Sequence, residues 1–368
     1  MISKSKLFLI AALTLSTTAA LAESYATPAK RTKQYLITKF GAVADGTTVN
    51  TKAIQAAIDK CAANKKGGVV VVPAGTFLSG AIFLKQGVNL LVEKDGILKG
   101  TTNPDDYPQI QTRWEGTEEI YTASFVNAEG VTGLTLSGEG TIDGSGEEWV
   151  QKNAFRRPAG PRPTGAPGAG PTGGATPTAP SIDTTAVAAA SMALQPPQPR
   201  PAAGPGSGPP RRGRPRLIGI QNSKDVTVTG LNLHNQAVWC LFVLYSQNVE
   251  INNVKITAEH NIPSSDGMDI DSSKHVHIDH VFIDDDDDCI SIKSGKDADG
   301  LRVNRPAEDI LIENSHFAYG QGGVAMGSEL RCDAGWVLGG GEAPLSKRPE
   351  AYSPAIQTKT VTTVPPTM

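Results

Sequence analysis

A short polar–aliphatic template recurs four times in the second half of the chain. It occurs at Asp225–Thr229, Asn248–Asn252, His275–Asp279 and Asp309–Glu313, and its first aliphatic positions are spaced by 23, 27 and 34 residues. Alternation with a period of two is typical of a strand with one buried face. Recurrence with connections of varied length indicates stacked units, each of which contributes one inward-facing strand per turn.

This pattern predicts an all-β fold, a right-handed parallel β-helix with a short N-terminal capping helix. A β-sandwich would also contain short alternating strands, but it gives no reason for the template to repeat in phase. The helix is predicted over residues 51–64, after Asn50, where it would cover the open end of the coil. Its apolar positions follow the helical spacing of a single buried face: Ile54, Ala57, Ile58 and Cys61.

Residues 1–22 have the pattern of a secretory signal peptide. Lys4 and Lys6 precede the apolar run 7–13, and residues 20–22 offer a small-residue cleavage site. The apolar run is too short to span a bilayer, so no membrane segment is expected. We therefore expect a soluble mature protein in the periplasm or secreted from the cell.

Composition divides the rest of the chain into four parts: 23–153 and 217–330 as β-helix, 154–216 as an insertion, and 331–368 as a tail. The insertion holds 15 of the 26 prolines and eight arginines but one acid. Such a segment cannot bury a core, which predicts a disordered insertion. It is either a solvated tether or an arm that attracts polyanions. Nucleic acid is not an expected partner, because no aromatic side chains for base stacking lie among the arginines.

The four cysteines are too few for a disulfide scaffold, and their spacing matches no zinc motif. Buried thiols are the expected state of the first three: Cys61, Cys240 and Cys289. No metal and no cofactor are expected, and the protein is predicted to be a monomer.

Three carboxylates carry most of the chemical information. Asp266 lies 22 residues before Asp288, with Asp287 beside it. If 22 residues make one turn of the coil, strands ~4.8 Å apart bring the three acids to one external patch. A glycosidase needs such a group, because one carboxyl protonates the leaving oxygen and another activates water. The run of five aspartates, 284–288, has two other interpretations, a solvated acidic turn and a calcium site.

Several motifs then resemble a known family. Phe40–Gly46, Ala53–Asp59 and Gly138–Gly144 resemble segments shared by pectin-type β-helix enzymes. Asp266–Gly267 and Asp287–Gly295 are more specific. Together they resemble glycoside hydrolase family 28, the polygalacturonases and related pectin hydrolases, over about three quarters of the chain.

The resemblance implies roles for the acids. Asp287 would be the general acid, while Asp266 and Asp288 would position and deprotonate the attacking water. The substrate would be a galacturonate-containing pectic polysaccharide, cleaved with inversion. Inverting glycosidases typically separate their carboxyls by ~6.5–9.5 Å to admit water.

Departures from the family pattern leave the substrate open. Gln321 stands where the family has a histidine, and Gln cannot titrate. The family's Arg-x-Lys motif, which binds the sugar carboxylate, is absent. Gln321 is retained as a candidate substrate-binding residue, and so is Lys293, which either supplies a cation to a uronate or is a solvated strand residue. A rhamnogalacturonan or xylogalacturonan hydrolase remains an alternative.

The resemblance stops after about Leu330, and residues 331–368 show no strand template. We expect a truncated or frameshifted reading frame, with a divergent natural tail as the alternative. Two further functional alternatives follow. One is a non-catalytic pectin-binding relic, and the other, less favoured, is a calcium-dependent pectate lyase, for which no basic residue is clearly placed to act as the base.

Overall fold

The computed structural model describes residues 32–152, 213–330 and 356–363. The described helices are α1 (Thr51–Ala62), α2 (Gly146–Lys152) and α3 (Asp297–Val303), with 3₁₀ turns at Ile37–Phe40 and Pro104–Asp106. The described strands, in chain order, are β1 (Gln34–Leu36), β2 (Asp45–Val49), β3 (Gly68–Val72), β4 (Gly75–Ser79), β5 (Ile82–Leu84), β6 (Val88–Val92), β7 (Gly96–Gly100), β8 (Gln109–Trp114), β9 (Thr117–Thr122), β10 (Val126–Glu129), β11 (Thr135–Gly138), β12 (Thr141–Asp143), β13 (Ile218–Gln221), β14 (Lys224–Thr229), β15 (Asn232–His234), β16 (Leu241–Leu244), β17 (Gln247–Asn252), β18 (Lys255–Thr257), β19 (Met268–Asp271), β20 (Lys274–Asp279), β21 (Phe282–Asp284), β22 (Asp288–Lys293), β23 (Glu308–Tyr319), β24 (Gly322–Met326) and β25 (Ile356–Thr363).

The strands form a right-handed parallel β-helix, as predicted. Each coil visits three faces in turn. One face runs β5-β10-β13-β16-β19-β22-β24, and we call it the seven-stranded face. The other two belong to a sixteen-stranded sheet in which the long strand β23 pairs with both β20 and β21. All of these pairings are parallel, so every coil must repeat the same inward residues.

The register follows the sequence template. Val226 pairs with Val249, Val249 with Val276, and Val276 with Ile310, so the predicted spacings of 23, 27 and 34 are confirmed. These four side chains are at most 1% exposed and belong to one continuous core. Burying an aliphatic side chain of this size stabilises the fold by ~1.5–3 kcal/mol, which explains why each coil conserves the template within this chain.

The polar residue that opens each template has a backbone role. Asp225, Asn248, His275 and Asp309 all have φ between 54° and 55°. This left-handed conformation is uncommon for residues other than glycine, and Asn, Asp and His are enriched in it. The same bend therefore directs the chain into each successive strand at the same position of the coil.

Helix α1 occupies the predicted place and packs against β1, β3 and β5 at the start of the coil. Its buried side chains are the four predicted from the sequence: Ile54, Ala57, Ile58 and Cys61. The thiols of Cys61, Cys240 and Cys289 are free and buried, as expected.

An antiparallel hairpin, β8–β9, departs from the coil and was not predicted. Its Trp114 and Tyr121 stack with ring centroids 4.3 Å apart, and Trp114 also stacks on Trp239 at 4.6 Å. Arg216 is buried under this cluster and donates to the carbonyl of Arg113. The predicted end of the insertion at residue 216 is therefore wrong, because residues 213–216 belong to the folded domain.

Residues 331–368 show no strand template, yet part of this segment forms a strand. Strand β25 pairs in parallel with β23, and Ile310 lies opposite Ile356. The backbone of this segment covers part of a sheet edge that would otherwise expose unpaired groups. The predicted signal peptide at 1–22 and positions 154–212 of the insertion lie outside the described residues. None of the helices in the described ranges has the length and apolarity that a membrane crossing requires.

Candidate active site

Stacking of two consecutive coils brings the three candidate acids together. Met268 pairs with Ile290, an offset of 22, so Asp266 comes to lie beside Asp288. One carboxylate oxygen from each of Asp266, Asp287 and Asp288 lies within 4.8 Å of the other two. The predicted convergence is confirmed. Asp287 sits at a bend immediately before β22, so both neighbouring acids reach the patch although alternation along a strand would separate them.

Glycines leave room for these carboxylates. The backbone N–H of Gly267 donates to the carbonyl of Asp288 at 3.0 Å, which ties the two coils together at the acids. Gly322 pairs with Asp288 from the next coil. A Cβ at Gly322 would lie 2.7 Å from a carboxylate oxygen of Asp288, so a larger residue there would displace that acid.

Burial distinguishes the three acids. Asp287 and Asp288 are partly exposed, whereas Asp266 is only 5% exposed and less outward than predicted. The reason is that coils lie on both sides of it, and Cys240 of the preceding coil donates its N–H to the Asp266 carbonyl. The aliphatic side chains of Ile270, Ile290 and Ile292 are buried in the core.

The electrostatics favour a proton within the cluster. Burial raises the pKa of Asp266 to about 7, and the Asp287 carboxylate adds to that rise. Burial, followed by the Asp288 carboxylate, also raises the pKa of Asp287. Like charges this close do not all ionise together, so the cluster holds a shared proton that cannot be assigned to one residue alone.

The oxygens lie closer than the ~6.5–9.5 Å expected for carboxyls of inverting enzymes. The physical cause is the coil spacing itself, since neighbouring parallel strands are ~4.8 Å apart. Oxygens up to 4.8 Å apart can still share a single water, because two hydrogen bonds of ~2.7 Å span that separation. The same three carboxylate oxygens are close enough together to bind one divalent cation. The ligand atoms of His277, Asp279 and Glu313, on another face, are equally close together.

The two candidate substrate-binding residues differ. Gln321 is exposed beside the acids, where its backbone N–H donates to the Asp287 carbonyl at 2.7 Å and its side chain donates to the Asp286 carbonyl at 3.2 Å. Lys293 is buried, so its interpretation as a solvated strand residue is wrong. Its ammonium lies 2.6 Å from Glu329 and 3.5 Å from Asp269. A direct contact with a sugar carboxylate would require Lys293 to leave these partners.

A charged layer on the outer side of the seven-stranded face was not predicted. Asp269 and Asp271 alternate with the inward Met268 and Ile270, which was a readable signal. Burial, with Asp266 as the next cause, raises the pKa of Asp269 well above its usual value. Asp271 is paired at 2.7 Å with the buried Arg113 of the hairpin.

Asp285 was also missed as a distinct group. It is fully buried, and its carboxylate lies near the α-carbons of Gly267 and Gly320, where a Cβ would be 2.9 and 3.0 Å from its oxygens. Burial, followed by the charge of Asp266, raises its pKa to about 9. We infer that Asp285 is neutral at pH 7 and places no second full charge behind Asp266.

Comparisons with known proteins agree with this geometry. The family described as "Glycosyl hydrolases family 28" matches residues 204–337, and "Rhamnogalacturonase A/epimerase, pectate lyase-like" matches residues 36–159. The chain is therefore similar to glycosyl hydrolase family 28 over residues 204–337. The match extends slightly past Leu330, where the resemblance was expected to stop.

Proteins similar to this chain include polygalacturonases. A probable polygalacturonase of Vitis vinifera is 26% identical over 300 residues, which cover 79% of this chain and 50% of the relative. An exo-poly-alpha-D-galacturonosidase of Dickeya chrysanthemi is 28% identical over 303 residues, covering 79% and 47%. A hyperthermoactive exopolygalacturonase structure from Thermotoga maritima is 26% identical with a TM-score of 0.61, covering 81% and 64%. The chain spans about half the length of the first two relatives.

Proposed function

We propose that this protein hydrolyses galacturonate-containing pectic polysaccharide with inversion at the anomeric carbon. The observation that carries the proposal is the convergence of three carboxylate oxygens within 4.8 Å on two consecutive coils. Similarity to this family and to polygalacturonases supports the substrate class. We further propose that the protein is exported to the periplasm or secreted, on the basis of residues 1–22, and acts as a monomer.

Asp287 is the proposed general acid. Burial and the Asp288 carboxylate raise its pKa, which favours its protonated form, and its partial exposure lets it reach the leaving oxygen of a bound chain. Asp266 and Asp288 are proposed to hold the attacking water between them and to accept its proton. That role requires an ionised carboxylate, and once Asp287 has given its proton to the leaving group, its negative charge raises the affinity of Asp266 for the proton taken from water.

The test is the rate of reducing-end release from polygalacturonate by Asp287→Asn. Loss of a general acid typically costs ~10²–10⁴-fold in rate, and the variant should keep the wild-type unfolding midpoint. Asp286→Asn is the matched control, because it makes the same change one residue away in the same acidic run. Near-normal turnover of every pectic substrate by Asp287→Asn would refute the assignment. Polarimetry or NMR of the first product reports its anomeric configuration and tests inversion.

The same assay separates the alternatives. Rhamnogalacturonan and xylogalacturonan are included as substrates because Gln321 replaces an imidazole beside the acids. A calcium-dependent ultraviolet absorbance would reveal an unsaturated product and hence elimination, since hydrolysis creates no double bond. A folded wild-type protein that binds pectin but turns over none of these substrates is a non-catalytic relic.

A further inference from the structure

Two adjoining cavities lie at the opposite end of the seven-stranded face from the acids. Their volumes are about 570 and 370 Å³, and both are lined by Asn222, Tyr245 and Arg305. Asn222 and Tyr245 directly follow the last residues of β13 and β16, whereas the acids precede or begin their strands. Asp266 and Ser272, which lines the smaller cavity, are six residues apart. In extended chain that is ~20 Å, so this groove is separate from the candidate active site.

The smaller cavity is positively charged. Its lining includes Lys224, Lys274 and Arg305 but one acid, Glu308. Within ranges 32–152 and 213–330, none of the three cations forms a salt bridge with a carboxylate. The whole chain carries a formal charge of −3, so this local excess of cations opposes the overall charge. Such a patch attracts anionic ligands.

The cations form a row set by the coil. Lys224 pairs in register with Gln247, and Gln247 pairs with Lys274. Strands ~4.8 Å apart therefore place the two lysine positions ~9.6 Å apart, with an amide side chain between them. A ligand with a carboxylate repeated at regular intervals matches a row of cations repeated at regular intervals.

Arg305 lines the same cavity, where Glu308 is the in-register neighbour of Lys274. Its guanidinium lies over the Tyr245 ring at 4.9 Å, and the Tyr245 hydroxyl donates to Glu118 at 2.8 Å. Arg113 also lies 4.9 Å from the same ring. Because both guanidinium groups lie over the Tyr245 ring, they compete with a nucleic-acid base for stacking on it. This disfavours single-stranded nucleic acid as the ligand.

We propose that this groove is a second, non-catalytic site for an oligomeric uronate, in which Lys224, Lys274 and Arg305 bind sugar carboxylates. Amide and hydroxyl side chains in the lining, such as Asn222, Gln247 and Ser272, suit the sugar hydroxyls. The identity of the ligand rests on the proposed function, because the same polymer would be held at the groove and cleaved at the acids. The groove would keep a long chain on the protein between cleavage events.

The test is calorimetric titration of trigalacturonate into Asp287→Asn, which prevents turnover, and into the triple variant that also carries Lys274→Gln and Arg305→Gln. The triple variant should lose one binding component, weakened by about tenfold or more, since charge-assisted contacts are removed. Lys65→Gln with Lys66→Gln, in the same Asp287→Asn background, is the control for charge alone. Far-ultraviolet circular dichroism and urea midpoints confirm that each variant is folded.

Three outcomes decide the matter. Loss of one component in the groove variant, but not in the control, supports the site. Unchanged binding in the groove variant, or equal binding of a neutral galactose trimer, overturns it. Groove binding without hydrolysis of any pectic substrate would refute the proposed function while leaving the second site in place.

Discussion

Removal of the Lys293 ammonium tests the buried charge layer directly. Lys293 pairs with Glu329 at 2.6 Å, and the two side chains are 6% and 7% exposed, while the nearby Asp269 side chain is fully buried. Lys293→Met keeps the length of the side chain but leaves two buried carboxylates without their cation. Breaking a buried pair on one side typically costs ~3–5 kcal/mol of unfolding free energy, because the remaining charge is uncompensated.

The chain contains a matched control. Lys85 pairs with Asp59 at 2.7 Å, a similar distance, but both side chains are 50% exposed. Lys85→Met makes the same chemical change, and exposed pairs contribute only ~0–1 kcal/mol. The two substitutions should therefore differ by ~2–5 kcal/mol, which is a factor of about 30 to several thousand in the unfolding equilibrium constant.

Urea unfolding followed by tryptophan fluorescence measures the difference. The cost of Lys293→Met should be larger at pH 8 than at pH 5. Burial raises the pKa of Asp269 well above its usual value, so on acidification the unpaired Asp269 carboxylate takes up a proton and loses its charge. A cost for Lys293→Met no greater than that for Lys85→Met at pH 8 would refute the reasoning.

Two further predictions concern other faces of the coil. Ile270→Ala should lower the urea-derived free energy of unfolding by ~2–5 kcal/mol because it opens a cavity in the core. The control is Ile120→Ala, at a side chain that is 52% exposed, which should change that free energy by less than ~0.5 kcal/mol. Equal effects of the two substitutions would contradict the assigned core. The ring of His277 bridges Glu250 at 3.0 Å and Glu313 at 3.1 Å, and this bridge requires both ring nitrogens to donate. Burial opposes protonation of the ring, but these two carboxylates and Asp279 outweigh it and raise the pKa of His277 above 6.5. Its stabilisation, ~0.5–1 kcal/mol, should be present below pH 6.5 and lost as the pH rises through the raised pKa, so the effect of His277→Gln should fade at alkaline pH; a cost independent of pH would contradict the bridge.

The coil could be predicted because its information is local and periodic. Val226, Val249, Val276 and Ile310 were aligned by their polar–aliphatic context alone, and they are the residues that pair in register. In a parallel β-helix each strand pairs with the equivalent strand of the next turn, so residues one repeat apart in the sequence are neighbours in the structure. The offset of 22 between Asp266 and Asp288 could be read from the sequence for the same reason.

The charged layer could not be predicted in the same way. Arg113 lies 158 residues before Asp271, on a hairpin that departs from the repeat, and no spacing rule relates the two. The burial of Arg216 depends on Trp114, Tyr121 and Trp239, which are brought together by that hairpin. Composition assigned Arg216 to the insertion, since a single arginine after a proline-rich run carries no local sign of burial. The burial of Arg216 is therefore determined by its tertiary contacts and not by the composition of the surrounding sequence.

The register that builds the core also builds the candidate active site, so stability and catalysis share one constraint. A slip of one residue between β19 and β22 would turn Ile270 toward solvent, because side chains alternate faces with a period of two. The same slip would separate Asp266 from Asp288 and replace Gly267 at a position where an added Cβ would lie 2.5 Å from the carbonyl oxygen of Cys289. The apolar core therefore holds the acid oxygens within 4.8 Å of one another against their mutual repulsion. The energy that keeps three carboxylates crowded enough to share a proton comes from the aliphatic side chains stacked beneath them.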